Sequence, residues 1–311
     1  MPSLSEIRDE ILKQKGLSQD TVRRHYLKQL ATYTGRDTIL YASAFNSLKS
    51  SAIPGLLLSV TLEDMQGFMS ALHGMKGDKL DLILHSPGGS MEAAEQIVLY
   101  LRSKYKDIRA IIPQNAMSAA TMIACACDRI VMGKHSAIGP IDPQVTFPTP
   151  NGVFTAPAES VLAEFEQAKL EVSTNPKSAV IWVEKIKTYP HGFLNICART
   201  MDLARQKVEQ WLDSYMFRDI PVGANKLGHR IAQWLGDARE HKTHNRPINI
   251  TLARDKGLIV DALEDDQTLQ EHVLSAYHAT MITFLVTSCV KVIENHDGKG
   301  SYLQVEVKVG T

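Results

Sequence analysis

Two stretches indicate the fold of this chain: LILHSPGGS at residues 82–90 and NAMSAAT at residues 115–121. The first is an apolar run, typical of a buried strand, that ends at two glycines and a serine suited to begin a helix. In the second, Ser118 stands where a strand pattern changes into an alanine-rich helical pattern. Each stretch therefore predicts a strand, a tight turn and a helix, which together form the repeating unit of a parallel sheet.

Strand and helix patterns alternate on both sides of these turns. The strand patterns lie at residues 38–41, 56–60, 80–85, 108–112 and 129–132, and helical spacing of apolar residues occurs at 61–72, 91–101 and 119–126. This alternation with short connections predicts an α/β fold, a largely parallel sheet covered by helices. Residues 133–157 are rich in proline and glycine, and we expect them to form a rim or lid loop.

We expect three parts along the chain. Residues 1–35 form an N-terminal helical arm, in which Ser3 and Glu6 make a capping box. Residues 36–265 form the core. Residues 266–311 form a C-terminal helix and a β hairpin, and because a two-stranded ribbon is marginal alone, it should pack on the core or serve as an oligomerisation element.

The composition is that of an ordinary soluble protein. The 311 residues are 44% hydrophobic and 22% charged, and the formal net charge of zero gives no support for a nucleic-acid or anionic-lipid partner. No apolar run is long enough for a membrane helix, and the start of the sequence lacks the pattern of a signal peptide, so we expect a cytoplasmic protein. The four cysteines have neither disulfide-framework nor metal-ligand spacing.

The two turns have the chemistry of acyl transfer. Gly88 and Gly89 begin a helix, and glycine N–H groups can approach a developing oxyanion without a Cβ in the way. Ser118 is the candidate nucleophile, and the N–H of Ala119 is a further oxyanion donor. Either turn alone is more often just a turn or a helix cap. Together they are informative, because adjacent parallel strands place their C-terminal turns side by side.

The order of motifs resembles a known family. The Pro-Gly-Gly turn and the serine turn are followed by DRIVMG at residues 128–133 and GPIDPQ at residues 139–144. This order resembles the serine dehydrogenase proteinase family of the Clp-protease and crotonase superfamily, which is related to bacterial signal peptide peptidase A. The similarity is dense over about residues 35–144 and returns at 243–248, 257–258 and 293–296.

That resemblance implies a Clp-protease and crotonase-like spiral of strand and helix units that tends to oligomerise. It also implies a serine peptidase in which Ser118 is the nucleophile and Gly88 and Gly89 line the oxyanion hole. No metal or organic cofactor is implied, and the chain has no Gly-x-Gly-x-x-Gly turn after a strand to hold a nicotinamide.

The general base is the open part of this prediction. The Clp proteolytic subunit carries a histidine soon after its serine, but this chain has none between His135 and His191. Signal peptide peptidases use a lysine, and in the corresponding window, residues 158–173, Lys169 is the one lysine. A Ser118–Lys169 dyad is therefore our candidate, while a base from a neighbouring subunit, or no base, also remains open. The fallback lysines are Lys177, Lys185 and Lys187.

Other polar residues receive structural interpretations. His85, beside the Pro-Gly-Gly turn, is expected to be a hydrogen-bonded structural residue. His241 and His244 stand three residues apart without a third ligand in pattern, so no metal site is predicted. Asp142 is expected to fix a turn.

The sequence thus predicts a peptidase that hydrolyses peptide bonds of a peptide or protein substrate through an acyl-enzyme on Ser118, in a homo-oligomer. Two alternatives from other classes remain. One is a catalytically inert Clp-like scaffold that binds a peptide in the groove. The other is a crotonase-like acyl-CoA enzyme, in which the same glycine N–H groups polarise a thioester carbonyl.

Overall fold

The structure is a computed structural model that describes residues 3–13, 18–149, 152–220 and 226–306. Its strands are β1 (Asp37–Ser43), β2 (Lys79–His85), β3 (Asp107–Ile112), β4 (Asn115–Ala116), β5 (Arg129–Met132), β6 (Ala137–Ile138), β7 (Gln144–Thr149), β8 (Gly152–Pro157), β9 (Val260–Ala262), β10 (Cys289–Asn295) and β11 (Gly300–Gln304).

Its helices are α1 (Leu4–Lys13), α2 (Gln19–Thr34), α3 (Gly55–Leu58), α4 (Asp64–Leu72), α5 (Met91–Lys104), α6 (Ala119–Cys125), α7 (Ala158–Thr174), α8 (Ala179–Ile186), α9 (Phe193–Trp211), α10 (Leu227–Leu235), α11 (Ala238–His241), α12 (Ile250–Lys256) and α13 (Gln267–Val286). No helix within these described ranges is both long and apolar enough to cross a membrane.

The main sheet has seven strands in the order β11-β10-β1-β2-β3-β5-β9. The five strands from β1 to β9 run parallel, and β10 pairs antiparallel with both β1 and β11. In register, Leu40, Ile83, Ile111 and Val131 form one row across four strands. All four are buried, as expected for a sheet covered on both faces. The predicted α/β fold with a largely parallel sheet is confirmed.

Alternation along the strands sends side chains into two separate cores. Leu82 and Leu84 on β2 face the larger core, which α4, α5, α6, α9, α10 and α12 also line. Ile83 faces the opposite side, where it packs with residues of α2 and α13 such as Leu30 and Val273. The N-terminal helical segment therefore packs against the C-terminal helix, and the two together cover one face of the sheet.

The C-terminal hairpin belongs to the main sheet. All seven residues of β10 are buried, and the strand lies between β1 and β11. The helix α13 continues to Val286, and the first strand of the hairpin begins at Cys289. Residues 56–60 differ from expectation: Gly55–Leu58 form a helical turn, and Val60 makes an isolated bridge with Gly89.

The segment expected to be a loop contains a β ribbon. β7 and β8 pair antiparallel, and Phe147 packs against Phe193 of α9 with ring centroids 4.7 Å apart. The prolines in this segment are compatible with a ribbon because a two-stranded sheet has two edges, where a missing N–H costs little. Buried residues of β7, α7 and α9 form a small third core.

Candidate active site

The two turns singled out from the sequence are hydrogen-bonded to each other. The N–H of Ser86 donates to the carbonyl of Asn115 at 3.0 Å, and the N–H of Met117 donates to the carbonyl of Ser86 at 2.9 Å. This pairing continues from the neighbouring strands β2 and β3. The chain that ends β2 thus runs directly beside the chain that leads into α6.

Ser118 has an unusual backbone conformation. Its φ of 52° and ψ of −120° are rare for a residue with a side chain, and α6 begins at the next residue. A strand-to-helix turn of this kind projects the side chain away from the sheet, as in the nucleophile elbow of hydrolases. Ser118 therefore stands at the top of the sheet instead of capping α6, and its hydroxyl makes no cap hydrogen bond.

Gly88 makes close contact with this serine turn. Its φ is 91°, and a Cβ on it would lie 2.5 Å from the carbonyl oxygen of Met117 and 2.6 Å from the Cβ of Ser118. Real Cβ atoms do not approach other atoms so closely. Only glycine fits here, because the position combines a positive φ with a close approach between two backbones.

The backbone N–H groups near Ser118 differ in their partners. The N–H of Gly88 donates to the Ser86 hydroxyl at 3.2 Å. Within the described ranges, the hydrogen bonds of these turns use neither the N–H of Gly89 nor that of Ala119. Val60 braces the glycines from the other side: its N–H donates to the Gly88 carbonyl at 2.7 Å. Gly89 and Ala119 thus retain free donors on a fixed backbone.

A cavity of about 370 Å³ contains Ser118 in its wall. Gly88, Gly89 and Ala119 line it as well, so the structure brings together all the oxyanion-hole candidates and the candidate nucleophile. The remaining wall includes the apolar side chains Met91, Met122, Ile141 and Ala204 and the polar residues Gln144, Thr200 and His244. The candidate nucleophile and the residues that carry the free backbone N–H groups, Gly89 and Ala119, therefore line one cavity.

Two further residues of this site were not assigned to it from the sequence. His244 lines the cavity, and its Nδ1 lies 2.8 Å from Oδ1 of Asp142. The Asp142 side chain is 3% exposed, and its other oxygen accepts a hydrogen bond from Nε2 of Gln144 at 2.7 Å. Both residues lie in motifs that carried the family resemblance, GPIDPQ and THNRPI, which was the available signal. Their separation of 102 residues concealed the pairing.

Lys169, the candidate base from the sequence, is not brought to Ser118 within this chain. It lies on α7, where its amine is 2.8 Å from the carboxylate of Glu166, and 58% of its side chain is exposed. It lines a different groove, with Phe165 and Trp182. The physical reason is its position on an exposed helix face, where a glutamate three residues away is the nearest charge partner.

The fallback lysines are also outside the cavity. Lys177 lies in a short 3₁₀ turn after α7, Lys185 pairs with Glu164, and Lys187 lies 2.7 Å from Glu184. None of the three lines the wall that contains Ser118.

His85 is a buried residue beneath the glycine turn. Its ring packs between Phe45 and Tyr277, with centroid distances of 4.7 Å and 5.1 Å. Its Nδ1 faces the N–H of Asn115 at 3.4 Å. Burial lowers the pKa of His85 to about 3, because a charged imidazolium would be desolvated there. His85 is thus a neutral packing residue at ordinary pH.

Comparison with known proteins identifies the family of this chain. The sequence profile of the ClpP-like SDH-type serine proteinases matches residues 11–181, which is more than half of the chain. This chain belongs to that family. Two uncharacterized proteins of Methanocaldococcus jannaschii are similar to this chain in sequence. One is 29% identical over 217 residues, covering 68% of this chain and 65% of the relative. The other is 41% identical over 87 residues, covering 28% of this chain and 30% of the relative.

The chain therefore spans less than two thirds of the length of either relative. Among solved structures, a mutant of the membrane-bound stomatin-specific protease 1510-N is similar at 18% sequence identity. The match covers 37% of this chain and 58% of that one, with a TM-score of 0.27.

Proposed function

We propose that this protein is a serine peptidase that hydrolyses peptide bonds through an acyl-enzyme on Ser118. The observation that carries the proposal is the left-handed conformation of Ser118, in contact with Gly88 and in the wall of a shared cavity. A serine that only capped a helix would have an extended backbone and would bond to the helix with its hydroxyl. The strained turn instead presents the hydroxyl to a bound carbonyl group.

The free N–H groups of Gly89 and Ala119 form the oxyanion hole in this proposal. When Oγ of Ser118 attacks the peptide carbonyl, the oxygen gains negative charge, and preorganised donors stabilise it. The N-terminus of the 14-residue helix α5, capped by Ser90, adds positive potential on the same side. Gly88 lines the hole and permits the close approach of the two turns.

The cavity wall supports a peptide with an apolar residue next to the cleaved bond. Met91, Met122 and Ile141 supply apolar surface close to Ser118. Burying an apolar side chain there contributes binding free energy in proportion to the area removed from water.

The single chain does not support the Ser118–Lys169 dyad, because the Lys169 amine pairs with Glu166 outside the cavity. The expected homo-oligomer remains a prediction. Exposed apolar side chains on β8 and α8, such as Phe154 and Ile181, support it. Light scattering should then give a mass that is a multiple of 34.5 kDa.

The test is covalent labelling of the full chain with a fluorophosphonate, a reagent that reacts with activated serines. We expect a single adduct, located at Ser118 by peptide mass spectrometry and abolished by Ser118→Ala. The matched control is Ser59→Ala, since Ser59 lines the same cavity, and this variant should be labelled like the wild type. Cleavage of a peptide library should be lost in Ser118→Ala and retained in Ser59→Ala.

The alternatives give different results. A folded wild-type chain without an adduct would indicate the inert scaffold, and the peptidase proposal would then be wrong. Acyl-CoA turnover that Ser118→Ala leaves unchanged would indicate the crotonase-like enzyme.

A further inference from the structure

We propose that His244 is the general base for Ser118 and that Asp142 positions the His244 ring. The assignment rests on the peptidase function proposed above, since a base is needed only if the serine is a nucleophile. It places all three residues in one chain, in the order serine, aspartate, histidine.

The hydrogen bond to Asp142 determines which nitrogen of His244 is basic. A carboxylate accepts hydrogen bonds and cannot donate them, so Nδ1 of His244, 2.8 Å from Oδ1, carries the proton of the neutral ring. The lone pair is therefore on Nε2, which takes part in none of the side-chain hydrogen bonds of the described residues. The His244 side chain is 23% exposed and lines the cavity with Ser118, so a basic nitrogen is available there.

Asp142 is held rigidly enough to orient the ring. Its carboxylate is buried, and Gln144 binds the oxygen that His244 does not use, at 2.7 Å. The segments that carry the pair are joined by backbone hydrogen bonds between Ile138 and Ile248, of 3.1 Å and 2.8 Å. These bonds join the loop after β6 to the loop before α12, the two loops that carry Asp142 and His244.

In the proposed reaction His244 accepts each proton that is released and then donates it again. In acylation the Oγ–H bond of Ser118 breaks as Oγ bonds to the carbonyl carbon, and Nε2 takes the proton. The imidazolium then gives that proton to the amine as the C–N bond breaks, and Asp142 stays ionised throughout. A water molecule repeats the sequence on the ester, which restores Ser118 and neutral His244.

No other described group in the cavity wall suits this role as well. Besides His244, the titratable side chain in the wall is Glu92 at the start of α5, which accepts a hydrogen bond from Oγ of Ser90 at 2.7 Å. Asp142 does not line the cavity, and its two carboxylate oxygens are hydrogen-bonded to His244 and Gln144. His244 is the one imidazole among the lining residues.

The test measures the rate of fluorophosphonate labelling at Ser118 in His244→Gln and Asp142→Asn. Removing a general base lowers such rates by about 10²- to 10⁴-fold, and we expect this for His244→Gln. Asp142→Asn, nearly isosteric, should lower the rate by about tenfold or more, because the ring then loses its fixed tautomer. The matched controls are His229→Gln, an exposed histidine that pairs with Glu209, and Lys169→Ala. Both should label at the wild-type rate.

The pH dependence separates catalysis from structure. Wild-type labelling should fall in acid, since a protonated imidazole cannot accept the Ser118 proton. The residual labelling of His244→Gln should not fall in acid. Labelling of Glu92→Gln should fall in acid as it does in the wild type. Circular dichroism and the unfolding midpoint show whether each variant is folded. If His244→Gln does not fold, the labelling rate of Asp142→Asn tests the assignment instead.

The outcomes distinguish this inference from the proposed function. Wild-type rate and acid dependence in His244→Gln, with the adduct at Ser118, would overturn the base assignment and leave the peptidase proposal intact. A folded wild-type chain that forms no adduct would overturn both.

Discussion

Ser118 has its strained backbone because the residues on both sides of it are fixed. The Thr121 hydroxyl donates to the Ala116 carbonyl at 2.8 Å and accepts from the N–H of Gly139 at 2.9 Å. A residue in this part of φ/ψ space costs of order 1–3 kcal/mol, and it persists only where its surroundings determine it. The position of the hydroxyl is therefore a property of the whole turn.

Gly88→Ala tests the close contact between the two turns. We expect labelling of Ser118 to slow by about tenfold or more, since a left-handed alanine costs roughly 1–2 kcal/mol before the clash with Met117 and Ser118 is counted. The control is Gly55→Ala, because a Cβ on Gly55 would meet nothing within 4 Å. Wild-type labelling in Gly88→Ala would contradict the geometry described for the two turns.

His85 makes stability depend on pH. Its pKa falls from an ordinary value of 6.5 to about 3 on folding, so between these values the unfolded chain binds the extra proton. The contribution is fully present above pH 6.5 and is lost as pH falls toward 3, with a slope of at most about 1.4 kcal/mol per pH unit. Urea unfolding of the wild type and of His85→Leu at pH 7, 6 and 5 measures this contribution to the free energy of unfolding.

The wild type should lose more stability over that range than His85→Leu does. Equal slopes in the wild type and His85→Leu would mean that folding does not lower the pKa of His85.

At the scale of elements, a buried ion pair connects β10, α4 and the segment that braces the glycine turn. Nζ of Lys291 lies 2.8 Å from Oδ1 of Asp64 and donates to the Ser59 carbonyl at 2.6 Å. The hydroxyl of Tyr41 donates to Asp64 at 2.6 Å. Because Ser59 precedes Val60, which bonds to Gly88, this cluster supports the candidate site from a distance.

Lys291→Met should destabilise the protein strongly. It leaves the Asp64 carboxylate buried without its cation, which typically costs about 3–5 kcal/mol, measured by urea unfolding. Lys28→Met is the control, since the pair of Lys28 and Asp297 is exposed and such pairs contribute about 1 kcal/mol or less. Adding Asp64→Leu to Lys291→Met should recover part of the loss. If both lysine variants lost equally little, Asp64 would not be charged in the folded state.

At the scale of the whole molecule, the two ends of the chain complete one structure. α2 packs on α13, and the buried Arg23 of α2 lies 2.7 Å from the buried Glu294 of β10. β10 in turn pairs with β1 of the main sheet. The parts expected from the sequence as an N-terminal arm and a C-terminal hairpin thus share cores and hydrogen bonds with the rest.

Val292→Asp tests whether the C-terminal hairpin and the candidate site fold as one cooperative unit. Val292 is fully buried in β10, so an unpaired carboxylate there should abolish cooperative unfolding and labelling of Ser118 together. Val286→Asp is the control, since Val286 at the end of α13 is 61% exposed and should tolerate the charge. Normal Ser118 labelling in Val292→Asp would show that the hairpin folds independently of the site.

The sequence by itself determined the parallel α/β core and the two turns of the candidate site. Apolar runs such as residues 80–85 form strands because both faces of this sheet are covered, and Gly88 and Ser118 end their strands through local backbone requirements. These signals are local: a strand period, a glycine at positive φ and a helix start all depend on a few neighbouring residues.

Only the tertiary structure decided the rest, because it depends on contacts between distant residues. The pairing of His244 with Asp142 requires two loops that are distant in sequence to lie side by side. Likewise, the position of Lys169 outside the cavity of Ser118 depends on where α7 packs, while the resemblance to lysine-using peptidases suggested a base. Prolines and glycines in residues 133–157 suggested a loop, yet contacts of Phe147 with α9 stabilise a ribbon formed by β7 and β8. No local pattern encodes which distant surfaces bury each other.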